Sequence, residues 1–248
     1  MLSFVGLGLY DVKSITMRGA EVIREADFVF LENYTSKLGG SGVEELEKYY
    51  EKNIEILQRE DVEVNPEKVL EAAKEGEVAI LIAGDPMIAT THVDLRLRAN
   101  AQGIETEVIH GTSASTAACG LTGLQNYRFG KSTTVPFEPV GKLPDSVYQT
   151  IGGNRERGLH TLVYLDIKIE QNKYMKGNEA AKKLMGIGED WIGIIIARAG
   201  SKNPRVVTGR LEKLSKMDFG KPLHLMVIPG ELHHMEMEAL ESFTEMHL

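Results

Sequence analysis

The chain has 248 residues, 42% of them hydrophobic, and a formal net charge of −8. That is enough apolar material for one large core or two small ones, and the acidic balance disfavours a protein whose affinity rests on neutralising nucleic-acid phosphates. Cys119 is the single cysteine, which excludes an internal disulfide and a thiolate metal cluster and reads as a small buried residue.

No apolar run approaches the roughly 18 residues of a membrane helix. The opening residues, MLSFVGLGLYD, carry no basic segment ahead of their apolar stretch, so a cytoplasmic location is expected. Residues 2–5 form a first apolar strand running into Gly6, Leu7, Gly8, Leu9 and Tyr10. This turn is similar to the start of a dinucleotide fingerprint, but Asp11 stands in place of the third glycine. What is left is a glycine-rich turn that brings backbone N–H groups to a small ligand. Ser14 is the expected N-cap of a helix buried through Ile15, Ala20, Ile23 and Ala26, and residues 28–31 return as a strand. The polar, glycine-rich stretch 32–42 is a loop before an acidic amphipathic helix from residue 43 to about 52. A strand over 54–57 follows, and Asn65 and Pro66 supply an N-cap and a first-turn proline for a helix ending at Gly76.

The run VAILIA, residues 78–83, is too short for a globular helix and too uninterrupted for a sheet face exposed to water. It predicts a central parallel strand. Gly84, Asp85 and Pro86 force a sharp turn at its carboxyl end, where open α/β sheets hold ligands. A helix over 90–102, closed by Gly103, and a short strand over 107–110 come next. The hydroxyl-rich stretch 111–116, GTSAST, caps the following helix, and the same geometry lets its amides and hydroxyls hold a ligand carboxylate. The loops 6–10, 84–88 and 111–116 all fall at carboxyl ends of parallel strands and can converge on one crevice.

From Tyr127 the texture changes. Strand-like segments at 132–137, 161–165, 192–197, 206–208 and 223–228 are separated by glycine, proline and charge, with one clear helix near 178–185. The expected organisation is an N-terminal α/β domain with a parallel sheet over residues 1–112 and a C-terminal α/β domain with a mixed sheet over 113–248.

GLGLYD (6–11), ENYTS (32–36), REDVE (59–63), GDPMIATTH (84–92), LHTLVYLDIK (159–168), ARAGS (197–201) and PLHLMVIPG (222–230) together resemble the diphthine synthase family of tetrapyrrole-methylase-like S-adenosylmethionine methyltransferases. The resemblance spans nearly the whole chain. GDP is shared across the wider fold, whereas YTS, LDIK and ARAGS together are specific. It implies two α/β domains with the methyl donor in a cleft between them, a homodimer, and a protein substrate, translation elongation factor 2, whose modified histidine is methylated. The donor-binding residues it implies are Leu9, Asp85, Ile88, Ser113, Ala114, Leu165, Ala199 and His224. Leu9, Ile88, Leu165 and Ala199 suit an apolar wall for adenine, and Asp85, Ser113 and His224 suit polar contacts. Relatives tend to carry a bulkier apolar and aromatic pair in place of Ala114 and Ser115, and some are longer at the connection 186–190.

Methyl transfer from a sulfonium to nitrogen is an in-line displacement in which positioning and water exclusion provide most of the catalysis. The acceptor amine must still lose a proton, and no residue declares itself as the base: Asp85 reads better as a donor contact and Asp166 as a strand-end carboxylate. The cluster Glu231, His233, His234 and Glu236 reads as a solvated helical face rather than a metal site, because adjacent histidines diverge on a helix and the chemistry needs no metal. Rival readings are a tetrapyrrole or ribosomal RNA methyltransferase of the same fold, and a nucleotide-binding module without turnover.

Overall fold

Residues 78–82 form the middle strand of a five-stranded sheet in the computed structural model, which describes residues 1–186 and 191–248. Of the short connection 186–190, only Gly186 falls within the described residues. The chain divides into two units, one of Met1–Ser113 with Ile169–Gln171 and one of Ala114–Lys168 with Asn172–Leu248.

In the first unit β1 (Leu2–Gly6), β2 (Phe28–Glu32), β3 (Glu55–Leu57), β4 (Val78–Ile82) and β5 (Thr106–Ile109) run parallel in the order β3-β2-β4-β1-β5. Strand alternation sends Val5, Leu31, Ala79 and Leu81 to one face and Phe4, Phe30, Ile80 and Ile82 to the other. Both faces are covered. α1 (Met17–Glu25) and α2 (Val43–Tyr50) place Ile23, Leu46 and Tyr50 on the first, while α3 (Glu67–Glu75) and α4 (Val93–Ala101) place Val69, Leu70 and Leu95 on the second. This double burial is why β4 reads as an unbroken apolar run, each large side chain contributing about 1.5–3 kcal/mol on leaving water. Register pairs Gly6 with Ile82 and Val5 with Ile109, so the carboxyl ends of β4, β1 and β5 are level.

Helix starts depart from expectation where two capping residues compete. Thr16, not Ser14, caps α1 by accepting from the Gly19 amide at 3.1 Å. Ser14 Oγ instead accepts from the amides of Tyr10 and Asp11 at 3.3 and 3.2 Å, closing the first glycine turn. Pro66 stands at the cap position of α3, because Asn65 ends a π-helical turn over Glu60–Val64 that the sequence pattern does not announce. α4 starts at Val93 rather than at residue 90, since residues 84–92 are held in turns.

The second unit holds α5 (Ala114–Thr122), β6 (Thr133–Val135), α6 (Asp145–Glu156), β7 (Thr161–Leu165), a two-residue hairpin of β8 (Ile167–Lys168) and β9 (Lys173–Tyr174), α7 (Gly177–Leu184), β10 (Ile192–Ala197), β11 (Arg205–Arg210), α8 (Leu211–Leu214), β12 (His224–Ile228), α9 (His234–Phe243) and β13 (Glu245–His247). Six of these strands make a mixed sheet in the order β13-β11-β10-β12-β7-β6, with β10 antiparallel to both neighbours. One face packs Val163, Ile195, Val207 and Met226 against α6, α7 and α8, and the other packs Ile194, Ile196, Leu225 and Val227 against α5 and α9. Cys119, on α5, is half-buried rather than enclosed.

Of the carboxyl-terminal cluster, Glu231, His233 and His234 are exposed, as expected of a solvated face, and Glu236 departs from it. Glu236, in the first turn of α9, is 0% exposed. Its carboxylate accepts from the Gln125 amide at 3.0 Å, the His233 amide at 2.9 Å and His160 Nε2 at 3.0 Å, with Arg128 Nη1 at 3.5 Å. His160 Nδ1 accepts from the Gly230 amide at 3.0 Å, which assigns the ring proton to Nε2. Period-3.6 patterning cannot foresee this, because the partners lie up to 111 residues away.

Candidate active site

Three loops of the first unit meet backbone to backbone at the level carboxyl ends. The Gly8 and Gly84 amides donate to each other's carbonyls at 3.2 and 2.7 Å, an antiparallel bridge made with φ of 74° and 82°, where glycine carries no Cβ penalty. Gly111 closes the third side, for a Cβ there would lie 2.3 Å from the Gly84 carbonyl oxygen and 2.8 Å from the Gly6 carbonyl. Gly8 and Gly84 are therefore required by their positive φ, and Gly111 by its close approach to the Gly6 and Gly84 backbone.

This convergence sets four of the eight expected donor residues around one point. Leu9 and Asp85 each follow a bridged glycine, and Ser113 stands two residues beyond Gly111. Asp85 is buried, and its Oδ1 accepts from the Met87 amide at 2.9 Å, shaping the Asp-Pro turn. Its Oδ2 is 2.8 Å from Nδ1 of His110. Ile88 is 48% exposed, and Ala89 beside it has φ 57°, an uncommon conformation for a residue with a Cβ and one that clusters at ligand loops.

The turn is braced from beneath by the other first-unit motifs. His92 is buried, with Nδ1 donating to the Pro86 carbonyl at 3.0 Å and lying 2.7 Å from Thr90 Oγ1. Glu32, equally buried and 3.9 Å from His92 Nε2, accepts the Tyr34 and Thr35 amides at 2.7 and 2.6 Å. Arg59 lies 4.8 Å over the Tyr34 ring and pairs with Glu63, which accepts from Thr91 Oγ1 at 2.9 Å. Burial and then the Glu32 charge push the Tyr34 hydroxyl far above its usual range.

In the second unit Leu165, Ala199 and His224 gather at one end of the mixed sheet, since β7 and β10 finish there and β12 starts there. Leu165 belongs to the core on one face, and Ala114 and Ala199 pack on the other. His224 Nδ1 accepts from the Gly177 amide and Nε2 donates to the Lys221 carbonyl, both at 3.0 Å. Desolvation lowers its pKa to about 4, so the ring is neutral. Both ring nitrogens are thus committed to the fold. Arg198, after β10, has φ 55° and is held by Nη1 donating to the Phe219 carbonyl at 2.7 Å. Asp166 directly follows β7 and accepts from the Phe137 amide at 2.8 Å.

Residues 1–215 match the family model described as tetrapyrrole (corrin/porphyrin) methylases. The chain belongs to that family. It is 53% identical to a diphthine synthase of Halorubrum lacusprofundi, covering 97% of this chain and 95% of that one. It is 52% identical to the diphthine synthase of Haloquadratum walsbyi, covering 99% and 95%. A crystal structure of diphthine synthase superposes with a TM-score of 0.92 at 45% identity, over 99% of this chain and 96% of the other.

A polar hollow of about 420 Å3 lined by Asp27, Glu47, Lys52 and Asn53 lies at the amino ends of β2 and β3 in this methylase, the end of the sheet away from the three loops. Ligand chemistry in a parallel sheet belongs at the carboxyl ends, so the glycine loops and not this hollow are the candidate site. The sequence gives no site role to His110, Glu32, His92 or Arg59 individually, although ENYTS, GDPMIATTH and REDVE contain the last three. The signal for His110 is its place as the residue immediately following β5, where a strand-end side chain faces the ligand side.

Proposed function

We propose that the protein is a diphthine synthase: an S-adenosylmethionine-dependent methyltransferase that methylates the amino group of the 3-amino-3-carboxypropyl-histidine of translation elongation factor 2, a step of diphthamide biosynthesis. The observation that carries this reading is likeness over essentially the full length to relatives that bear that name. Those names favour elongation factor 2 over a tetrapyrrole or ribosomal RNA as acceptor, and enzymatic turnover over ligand binding alone. Donor contacts are assigned to Leu9, Asp85, Ile88 and Ser113 in the first unit and to Ala114, Leu165, Ala199 and His224 in the second. The donor chemistry suits the first-unit set: an apolar Leu9 and exposed Ile88 beside a carboxylate and a hydroxyl. S-adenosylhomocysteine is the product that must leave after each cycle.

When bound, the donor supplies a methyl group on a sulfonium with a good leaving group. The protein's part is to hold donor and acceptor in line and keep water out. The direct test is transfer of methyl groups from S-adenosylmethionine to elongation factor 2, offered alongside ribosomal RNA and a porphyrinoid.

The same reading places the enzyme in the cytoplasm and makes it a homodimer. Among the described residues no helix is long and apolar enough to cross a membrane. Light scattering at micromolar concentration is expected to give twice the chain mass, and a monomer there would contradict the dimer.

A further inference from the structure

We propose that His110 is the base that takes the proton from the acceptor amine, with Asp85 as its positioning residue; this rests on the N-methyltransferase reading above. Asp85 Oδ2 and His110 Nδ1 are 2.8 Å apart. A carboxylate only accepts hydrogen bonds, so in the neutral ring Nδ1 carries the proton and Nε2 holds a lone pair. The two side chains differ sharply in exposure, 7% for Asp85 and 76% for His110. Asp85 is fixed from below by the Met87 amide on its other oxygen, and the imidazole it orients stands out in solvent reach. This is the arrangement of a buried carboxylate that selects a tautomer and stabilises the imidazolium once formed.

Its place matches the task. His110 directly follows β5, and the next residue, Gly111, packs on Gly6 and Gly84. The ring therefore stands at the convergence of the three loops, beside the proposed donor contacts Leu9, Asp85 and Ser113. Asp85 is the titratable group paired with it; Glu107 on the same strand pairs with Arg18 at 3.3 Å. The other histidines placed above are committed to the fold: His92, His160 and His224 are buried and bonded internally.

The step balances. An aliphatic ammonium gives a proton to His110 Nε2, and the freed nitrogen lone pair attacks the methyl carbon of the sulfonium. The C–S bond breaks with its electron pair passing to sulfur, and the product is a methylammonium and a neutral thioether. The exposed imidazolium then returns its proton to water. A second and third methylation repeat the cycle, and the quaternary product has no proton to give.

The test compares the wild-type enzyme with His110→Gln and Asp85→Asn, following single-turnover methylation of elongation factor 2 against pH and donor affinity by calorimetry. Because the His110 ring is largely exposed, His110→Gln is expected to keep the wild-type unfolding temperature and bind S-adenosylmethionine as wild type does. Its rate at neutral pH falls by about 10²–10⁴-fold, the range for loss of a general base, and recovers as rising pH frees the amine in solution. Asp85→Asn is expected to lower the rate by a smaller factor and to move its pH profile. A His110→Gln enzyme with the wild-type rate and pH profile would overturn the assignment, as would a rate loss matched by an equal loss of donor affinity. A wild-type enzyme that binds donor and leaves elongation factor 2 unmethylated would instead remove the reading on which the assignment rests.

Discussion

Glu236→Ala is expected to destabilise the protein by roughly 3–5 kcal/mol, the cost of removing one partner from a buried charged cluster. The carboxylate receives the Gln125 and His233 amides, the His160 ring and the Arg128 guanidinium. Truncation leaves the buried His160 N–H without its acceptor, at about 1–3 kcal/mol before relaxation, and takes the same acceptor from the part-buried Gln125 and His233 amides. Glu236→Gln retains one acceptor oxygen and should lose less. Denaturant unfolding reads both, and a Glu236→Ala change under 1 kcal/mol would show that the cluster is not a structural hub.

The same cluster makes the protein acid-sensitive. Burial lowers the His160 pKa from 6.5, outweighing the pull of Glu236. Burial pushes Glu236 upward, but the Gln125 and His233 amides and the His160 ring outweigh it and hold its pKa below 4.5. Both folded-state values lie below the unfolded ones, so the stabilisation is present at neutral pH and is lost as pH falls, first below 6.5 for His160 and then below 4.5 for Glu236. His224, lowered to about 4, adds to the loss over the same interval.

Gly111→Ala is the second large effect. The new Cβ would meet the Gly84 oxygen at 2.3 Å and the Gly6 carbonyl at 2.8 Å, and all of these are backbone atoms that cannot swing aside. The strain costs about 3 kcal/mol, the upper end for overpacking. Relief requires the loops to part, and a shift of roughly 1 Å in positioned groups costs about a hundredfold in turnover. Gly152→Ala is the control, since nothing lies within 4 Å of its Cβ and it sits in α6; alanine there should hold or raise stability by about 0.5–1 kcal/mol. Wild-type stability and turnover in Gly111→Ala would show that the three loops need no close contact.

What the sequence reveals and what it hides divides along the range of the interactions. β4 is legible because a strand buried on both faces has a local signature in VAILI, and β7 and β10 are legible for the same reason. The three glycine loops are legible because tight turns demand residue types that stand out singly. Thr16 displaces Ser14 as a cap because both hydroxyls are competent and the choice depends on where the GLGLYD turn needs an acceptor. The Asp85–His110 pair joins residues 25 apart and the Glu236–His160 pair residues 76 apart. Neither has a period or spacing to betray it, because strand order sets the first and the packing of α9 the second. His224 shows the converse, a polar residue fitting a ligand role by type, whose ring is used up by Gly177 and Lys221.

The central claim, methylation of elongation factor 2, is tested most directly by intact-mass spectrometry of that factor, carrying its 3-amino-3-carboxypropyl-histidine, during incubation with the enzyme and excess S-adenosylmethionine. Stepwise methyl additions to the factor are expected, mono- and dimethyl species early and trimethyl at completion, while ribosomal RNA and a porphyrinoid in the same mixture gain none. Methyl groups arriving on the RNA or the porphyrinoid, with the factor unchanged in mass, would contradict that claim.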